Sequence, residues 1–225
     1  MVPAATQTPA PTDQPPKPRL RGWLHAAAAP LIVAASIVFL VLARGWEGKL
    51  AMAVYLATSL ILFGNSATYH IGRWGPKVKA VLRRFDHSNI YLFIAGTYTP
   101  LATFLTTGLS RVVLLAVIWS AAGLGVLFRI LWLGAPRWLY TCLYVLMGWA
   151  AVWWLPQFWA SGGPAVVWLI LAGGLVYSGG AVVYALKAPN PLPKWFGFHE
   201  IFHTCTVVAA ACHFVAIALA VAHTW

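Results

Sequence analysis

The chain has 225 residues, of which 61% are hydrophobic and 8% are charged, and its mean hydropathy is +0.77. Because a soluble domain carries roughly 25% charged residues, this composition excludes a soluble fold. A formal net charge of +11 would suggest nucleic-acid binding in a soluble protein, but basic loops orient membrane proteins and contact anionic head groups, so we expect membrane lipids rather than nucleic acid as partners.

The N-terminal residues 1–21 are predicted to form a disordered, proline-rich cytoplasmic tail, because they are too polar to build a core. Lys17, Arg19 and Arg21 precede a full-length apolar span. This order is not that of a cleavable signal peptide, in which basic residues are followed by a shorter apolar region. Residues 22–225 are predicted to form one transmembrane domain.

Apolar stretches long enough to cross about 30 Å of hydrocarbon as helices recur along the rest of the chain. They are continuous rather than alternating, which predicts an all-α, polytopic membrane protein and disfavours a β-barrel. Seven transmembrane helices are predicted, at about residues 24–43, 50–72, 87–107, 111–131, 138–158, 165–186 and 197–222. Two glycine pairs, at 173–174 and 179–180, give the sixth span small faces for close helix packing.

The lysine and arginine residues divide unevenly between the two sides of these spans. Of the 15 such residues, Arg44, Lys49 and Arg111 fall on one side and all the others on the opposite side. Basic residues collect in cytoplasmic loops, so the N-terminus is predicted to be cytoplasmic and the C-terminus outside. We therefore expect a multi-pass protein of the plasma membrane, which in bacteria is the inner membrane.

Ionisable residues at membrane depth indicate where the chemistry lies. Asp86 and Glu200 are the acids at or near that depth, where a charge is costly and points to function. His199 and His203 are four residues apart at the start of the seventh span, so their imidazoles share one helix face. His70 ends the second span at the same predicted cytoplasmic depth. Three imidazoles with one open position are typical of catalytic zinc.

Each of these residues also has a plainer interpretation. His70 alone is compatible with a helix-end histidine bonded to a neighbour, and Asp86 with an N-cap of the third helix. Residues 199–203 read His-Glu-Ile-Phe-His, the HExxH pattern of zinc metalloproteases with Glu200 as general base. No acidic residue follows Glu200 to act as a third ligand. Proteolysis is therefore a minor alternative, with Asp86 the better base and Glu200 left to orient the site or face the loop.

Three motifs, in their order and spacing, resemble the hemolysin III family, which belongs with the progestin and adiponectin receptors. They are Ser-Ala-Thr-Tyr-His at 66–70, Phe-Asp-His-Ser-Asn-Ile-Tyr at 85–91 running to Ala-Gly-Thr-Tyr-Thr-Pro at 95–100, and His-Glu-Ile-Phe-His at 199–203. The resemblance covers nearly the whole chain after the tail. Each motif alone is a weak signal, whereas the three together are specific.

The resemblance implies a seven-helix fold with a zinc ion held by His70, His199 and His203. Asp86 is implied to bind the zinc water, and Ser66, one turn before His70, matches a family serine that holds Asp86 or the water in place. Both are therefore expected to be catalytic. His87 and His213 also fall where bacterial members look similar, and we assign them no role.

The wider superfamily resembles alkaline ceramidases, which implies zinc-dependent hydrolysis of a lipid amide or ester in membrane-lipid homeostasis. Asp86 would move the proton in this reaction, and the apolar bundle would admit an acyl chain from the bilayer. Another class stays open, a non-catalytic sensor of membrane state with a structural zinc. A pore, suggested by the family name, is disfavoured because the spans lack a polar stripe beyond the metal cluster.

Overall fold

The computed structural model describes residues 17–132 and 134–224, which are almost entirely helical and contain no β-strand. The all-α prediction is therefore confirmed for these residues. The first 16 residues of the predicted tail lie outside the described part. The helices are α1 (Trp23–Leu42), α2 (Gly45–Ile71), α3 (Pro76–Leu105), α4 (Gly108–Leu131), α5 (Arg137–Gly148), α6 (Leu155–Leu186) and α7 (Phe198–Ala222), with a 3-10 segment (Trp149–Trp154) between α5 and α6.

Five helical stretches of the described chain are long and apolar enough to cross a bilayer. They are Trp23–Leu42, Gly45–Ile71, Gly108–Leu131, Arg137–Leu186 and Phe198–Ala222. The protein is thus a multi-pass membrane protein. The stretch Arg137–Leu186, which is 50 residues long, contains both the fifth and the sixth predicted spans.

The third predicted span, α3, begins earlier than expected. Pro76 occupies the first turn of the helix and Gly75 is its N-cap, an arrangement that suits proline because its missing N–H is not needed there. The span predicted to start at residue 87 therefore has about three further helical turns before it. As a result Asp86 lies inside α3, and its interpretation as an N-cap is wrong.

The chain breaks its helical path at Gly163, inside the helix α6. The backbone there has φ 77° and ψ 177°, a positive φ that glycine adopts without the steric cost of a Cβ. Pro164 follows and restarts the helix with its fixed φ. This break coincides with the predicted boundary between the fifth and sixth spans, at residues 159–164.

Close helix approach fixes α7, which carries two of the predicted ligands, against α6. A Cβ at Gly180 would lie 2.6 Å from the Cys205 Cβ, and one at Gly173 would lie 2.4 Å from the His213 Nε2. Gly179, by contrast, faces open space. One glycine of each predicted pair therefore forms the small face, which lets the two helices pack backbone to side chain.

Candidate metal centre

The three predicted ligands, His70, His199 and His203, come together between α2 and α7. Their candidate ligand nitrogens all lie within 4.8 Å of one another, and the Nε2 atoms of His70 and His199 are 3.2 Å apart. Tetrahedral zinc with Zn–N bonds of about 2.1 Å would place its nitrogen ligands about 3.4 Å apart. The spacing and the imidazole donors therefore suit a metal ion, and the predicted convergence of these residues is confirmed.

The elements explain this convergence. His70 lies in the last turn of α2, while His199 and His203 lie at the start of α7, one turn apart on one face. His70 and His203 are buried, with 6% and 3% of their surface exposed. Burial of this kind keeps water from competing for the ligand nitrogens, which favours metal binding by neutral imidazoles.

Asp86 and Ser66, the two predicted catalytic residues, lie beside the histidine cluster. The Oδ2 atom of Asp86, on α3, is 3.7 Å from the Nε2 atom of His70. Ser66 is buried one turn before His70 on α2. Both side chains line one cavity together with His199 and His203. The structure therefore brings the five residues into one region, while the roles of Asp86 and Ser66 stay predictions.

The cavity has a volume of about 130 Å³ and extends from the cluster into the helix bundle. Most of its walls are apolar side chains. Polar side chains also line it, among them Asp86 and His199 of the cluster region and His213 on α7. His213 Nε2 is 3.1 Å from the Ile170 carbonyl oxygen, and His213 is not part of the three-histidine group.

Both carboxylate oxygens of Glu200 have protein partners, which does not suit a general base. Its side chain is fully buried, its Oε2 accepts a hydrogen bond from the Gly197 N–H at 2.9 Å, and its Oε1 forms an ion pair with Arg21. The first contact caps the N-terminus of α7, where a carboxylate also suits the helix dipole. These contacts favour the orienting role for Glu200 over the metalloprotease interpretation.

The segment before α1 packs against the ligand helices. The Lys17 ammonium donates a hydrogen bond to the His70 carbonyl oxygen, and the Arg19 N–H donates to the Lys194 carbonyl at 3.0 Å. Gly22 has φ 88°, and a Cβ there would lie 2.7 Å from the His70 Cβ. Burial lowers the pKa of the Lys17 ammonium. Residues 17–22, most of which belong to the predicted tail, thus contact the site.

Arg21→Ala should strongly destabilise the protein, because it leaves the buried Glu200 carboxylate without its counter-ion. Removing one partner of a buried pair costs about 3–5 kcal/mol, which should lower the thermal unfolding midpoint in detergent. Arg111→Ala is the matched control, since the side chains of Arg111 and Glu47 are 27% and 54% exposed. Such a pair contributes about 0–1 kcal/mol. Equal shifts in the two variants would contradict the importance of the buried pair.

One residue beside the cluster, His25, was not found from the sequence. It lies in the first turn of α1, is 3% exposed, and its ring stacks on that of His203 with centroids 3.8 Å apart and planes 4° from parallel. The Phe63 ring meets it edge-on at 5.0 Å. A single histidine in an apolar helix carries no spacing signal, so only the packing of α1 against α7 reveals it.

The fold and the site together define a class: multi-pass, all-helical membrane proteins with a largely buried three-histidine group next to an apolar cavity. A family model described as Haemolysin-III related matches residues 14–214. The chain belongs to this family, and the resemblance seen in its motifs is confirmed.

Three relatives illustrate the similarity. The chain is 30% identical over 186 residues to a Hemolysin-3 homolog of Bacillus subtilis (strain 168), covering 81% of this chain and 84% of that protein. It is 32% identical over 163 residues to a Hemolysin-3 of Bacillus cereus, covering 71% and 74%. It is also 30% identical over 186 residues to Heptahelical transmembrane protein ADIPOR2 of Oryza sativa subsp. japonica, covering 73% and 79%.

Proposed function

We propose that this protein is a zinc-dependent membrane hydrolase that cleaves a lipid amide or ester and acts in membrane-lipid homeostasis. The observation that carries the proposal is the group of His70, His199 and His203, two of them buried and His199 partly so, beside an apolar cavity that Asp86 also lines. Three imidazoles are the ligand set of many catalytic zinc sites. An apolar cavity next to them suits an acyl chain.

The proposal includes seven spans. A straight helix of 50 residues would be about 75 Å long, more than twice the hydrocarbon thickness, so Arg137–Leu186 with its break at Gly163 accounts for two. The helix α3 accounts for another, because its charged residues are confined to its first turns. The rice relative is named heptahelical, which supports the same count.

The orientation follows from the basic residues. We infer a cytoplasmic N-terminus and an outer C-terminus in the plasma membrane, because the loops on the side of the N-terminus hold most of the lysines and arginines. The ligands lie at the end of α2 and the start of α7. In this orientation both positions are at the cytoplasmic face, where the substrate would meet the site.

A zinc ion held by the three histidines would activate a water molecule and polarise the carbonyl oxygen of the substrate. The remaining steps fall to this chain. Asp86 accepts a proton from the attacking water at a carboxylate oxygen and then gives it to the leaving amine or alcohol, so that one proton is moved and none is lost. Ser66 holds Asp86 or the water in place by a hydrogen bond.

The cavity contributes binding and exclusion of water. Each methylene group of an acyl chain buried there contributes about 0.8 kcal/mol, which fixes the scissile carbonyl near Asp86. Apolar walls also keep bulk water from the reacting groups, so that the polar interactions at the cluster act in a low dielectric. A substrate held in this way reacts with a positioned group rather than with one that arrives by diffusion.

The test is a hydrolysis assay on purified, zinc-loaded protein with a broad panel of lipid amides and esters. We expect fatty acid to be released from at least one of them, to stop when zinc is removed by a chelator, and to resume when zinc is returned. Protein with about one zinc per chain and no turnover across the panel would contradict the hydrolase.

One observation favours a second candidate, a sensor of membrane state with a structural zinc. The segment before α1 contacts the site through Lys17, which donates to the His70 carbonyl, and through Gly22, which packs on the His70 side chain. A rearrangement of α2 against α7 would therefore reach this segment. In that case zinc would stabilise one helix arrangement, and Asp86 would not be required for the output.

A further inference from the structure

We propose that the cavity holds a subsite for a hydroxyl group on the chain of the bound lipid, with Nδ1 of His213 as the hydrogen-bond acceptor. The inference rests on the proposed function, because it places the polar end of the lipid at the three-histidine group. Three observations carry it: the side of α7 on which His213 lies, the hydrogen bond that fixes its ring, and the use of other donors of the cavity wall within the protein.

His213 lies on the cavity side of α7 rather than on the bilayer side. It lines the cavity together with Thr206, and at about 100° per residue the two positions are about 20° apart around the helix. Val208 and Val215, which are both 45% exposed, lie about 140° or more from His213. Along the helix, His213 follows His203 by ten residues, which is about 15 Å.

One hydrogen bond fixes which ring nitrogen of His213 carries the proton. The Nε2–H group donates to the Ile170 carbonyl oxygen at 3.1 Å, and a carbonyl oxygen can only accept. A second proton on the ring would create an unpaired charge at membrane depth, which is costly, so the ring is neutral. Nδ1 therefore carries a lone pair and can only accept a hydrogen bond.

The ring is held in this orientation by a close approach to α6. A Cβ at Gly173 would lie 2.4 Å from Nε2 of His213, so the glycine provides the space that the ring occupies. The Tyr177 ring packs against it with centroids 5.6 Å apart. Because the acceptor is already positioned, little is lost in ordering it when a ligand binds.

Three polar side chains that line the cavity on α6, α7 and the 3-10 segment use their protons within the protein. The hydroxyls of Ser178 and Thr206 each donate to a backbone carbonyl of their own helix, at 2.8 and 2.9 Å. The Trp149 indole N–H donates to the Ser178 oxygen at 2.9 Å. None of these protons is therefore left for Nδ1 of His213.

Nδ1 of His213 is also accessible. It has no partner among the described residues, yet it is not one of the buried, unpaired atoms that are closed to water, a group that includes the neighbouring Tyr177 hydroxyl. Since His213 lines the cavity, we infer that this nitrogen opens into it. A molecule in the cavity can supply the donor that the protein does not.

The chemistry of Nδ1 defines the ligand. An acceptor requires a donor, and the chain of a lipid offers one where it carries a hydroxyl group. With the polar end of the lipid at the three-histidine group, this hydroxyl would lie about 15 Å away, in the middle of a long acyl chain. An unsubstituted chain would leave the nitrogen without a partner, which is rare for buried polar groups.

The experiment compares octadecanoic acid with its 12-hydroxy and 2-hydroxy derivatives. The three probes share the chain and the carboxylate, contain no amide or ester to cleave, and differ only in the hydroxyl. Binding to zinc-loaded protein is measured by native mass spectrometry from detergent. Because each acid partitions into the detergent equally for every variant, the ratio of variant to wild type reports on the protein.

We expect His213→Leu to weaken binding of the 12-hydroxy acid about tenfold, as loss of about one hydrogen bond implies. Binding of the other two acids should be unchanged, because neither carries a hydroxyl at this depth. His213→Asn, which keeps an acceptor oxygen close to the position of Nδ1, should recover most of the lost affinity. Zinc should stay at about one per chain in both variants.

Equal weakening of all three acids in His213→Leu would mean that the ring only fills the space beside Gly173, and would overturn the subsite. Unchanged binding of the 12-hydroxy acid would do the same. Loss of zinc from His213→Leu would show that the residue supports the metal centre instead, which also contradicts the proposal.

These outcomes are separable from those of the hydrolase assay. Binding of the 12-hydroxy acid that depends on His213, with no turnover across the substrate panel, would reject the hydrolase and retain the subsite. Turnover together with probe binding that is independent of His213 would reject the subsite and retain the hydrolase.

Discussion

His203→Ala should leave the purified protein without its metal, and His70→Ala should do the same. Wild type is expected to contain about one zinc ion per chain, measured by elemental mass spectrometry on protein purified in detergent. The two ligands come from α7 and α2, whose ligand atoms meet within 4.8 Å. Removing either one leaves two imidazoles, which do not complete the ligand set of a tight zinc site.

The matched control is His213→Ala, which removes another histidine from α7. His213 bonds to the Ile170 carbonyl at 3.1 Å and lies outside the ligand group, so this variant should keep its zinc. Loss of metal from all three variants would indicate general misfolding. Wild type without metal would remove the basis of the proposed reaction.

Metal loss should also lower stability. A ligand that binds only the folded state stabilises it by an amount that grows with its concentration relative to Kd, about 4.1 kcal/mol at a thousandfold excess. A chelator should therefore lower the unfolding midpoint of wild type but not that of His203→Ala. If the His203 ring served only for packing, the chelator would have the same effect on the unfolding midpoint of both proteins.

The sequence predicted the parts of the site that depend on local pattern. The four-residue spacing of His199 and His203 fixes a shared helix face, and hydropathy with the charge distribution fixes the depth of His70 relative to them. Both kinds of information are local to a span or to its ends. This explains why the convergence of the three histidines could be predicted before the helices were arranged in space.

The features that were missed depend on contacts between distant parts of the chain. His25 meets His203 because α1 packs against α7, and no spacing in the sequence records that contact. Arg21 was read as part of a polar tail, yet it pairs with Glu200. Its charge predicted only which side of the membrane it occupies, because a partner in a distant helix is not visible in local composition.

Helix boundaries were missed for a different reason. The apolar run of the third span begins at about residue 87, whereas α3 begins at Pro76. The intervening residues include Lys77, Lys79 and Arg83, which are good helix formers but not apolar. Hydropathy reports where a helix enters hydrocarbon, and it does not report where the helix itself begins.

Asp86→Asn is expected to abolish turnover while leaving zinc and fold in place. The substitution keeps the size of the side chain but removes the carboxylate that accepts and returns the proton. General acid–base catalysis contributes about 10²–10⁴-fold, so kcat/KM should fall by at least that order on any substrate that the panel identifies. Zinc content, measured on the same preparation, should stay at about one per chain because Asp86 is not one of the three ligands.

Glu47→Gln is the control for removal of an acid. Glu47 is half-exposed in a pair with Arg111 and lies in the first turn of α2, at the opposite end from His70, so this variant should retain full turnover. The same pair of variants decides between the two candidate functions. If zinc only ties α2 to α7, Asp86→Asn should preserve both the metal and the regulatory output, because a structural ion needs no proton acceptor. If the protein is a hydrolase, the metal should stay while the reaction stops. Without the Asp86 carboxylate, no group takes the proton from the attacking water and delivers it to the leaving amine or alcohol.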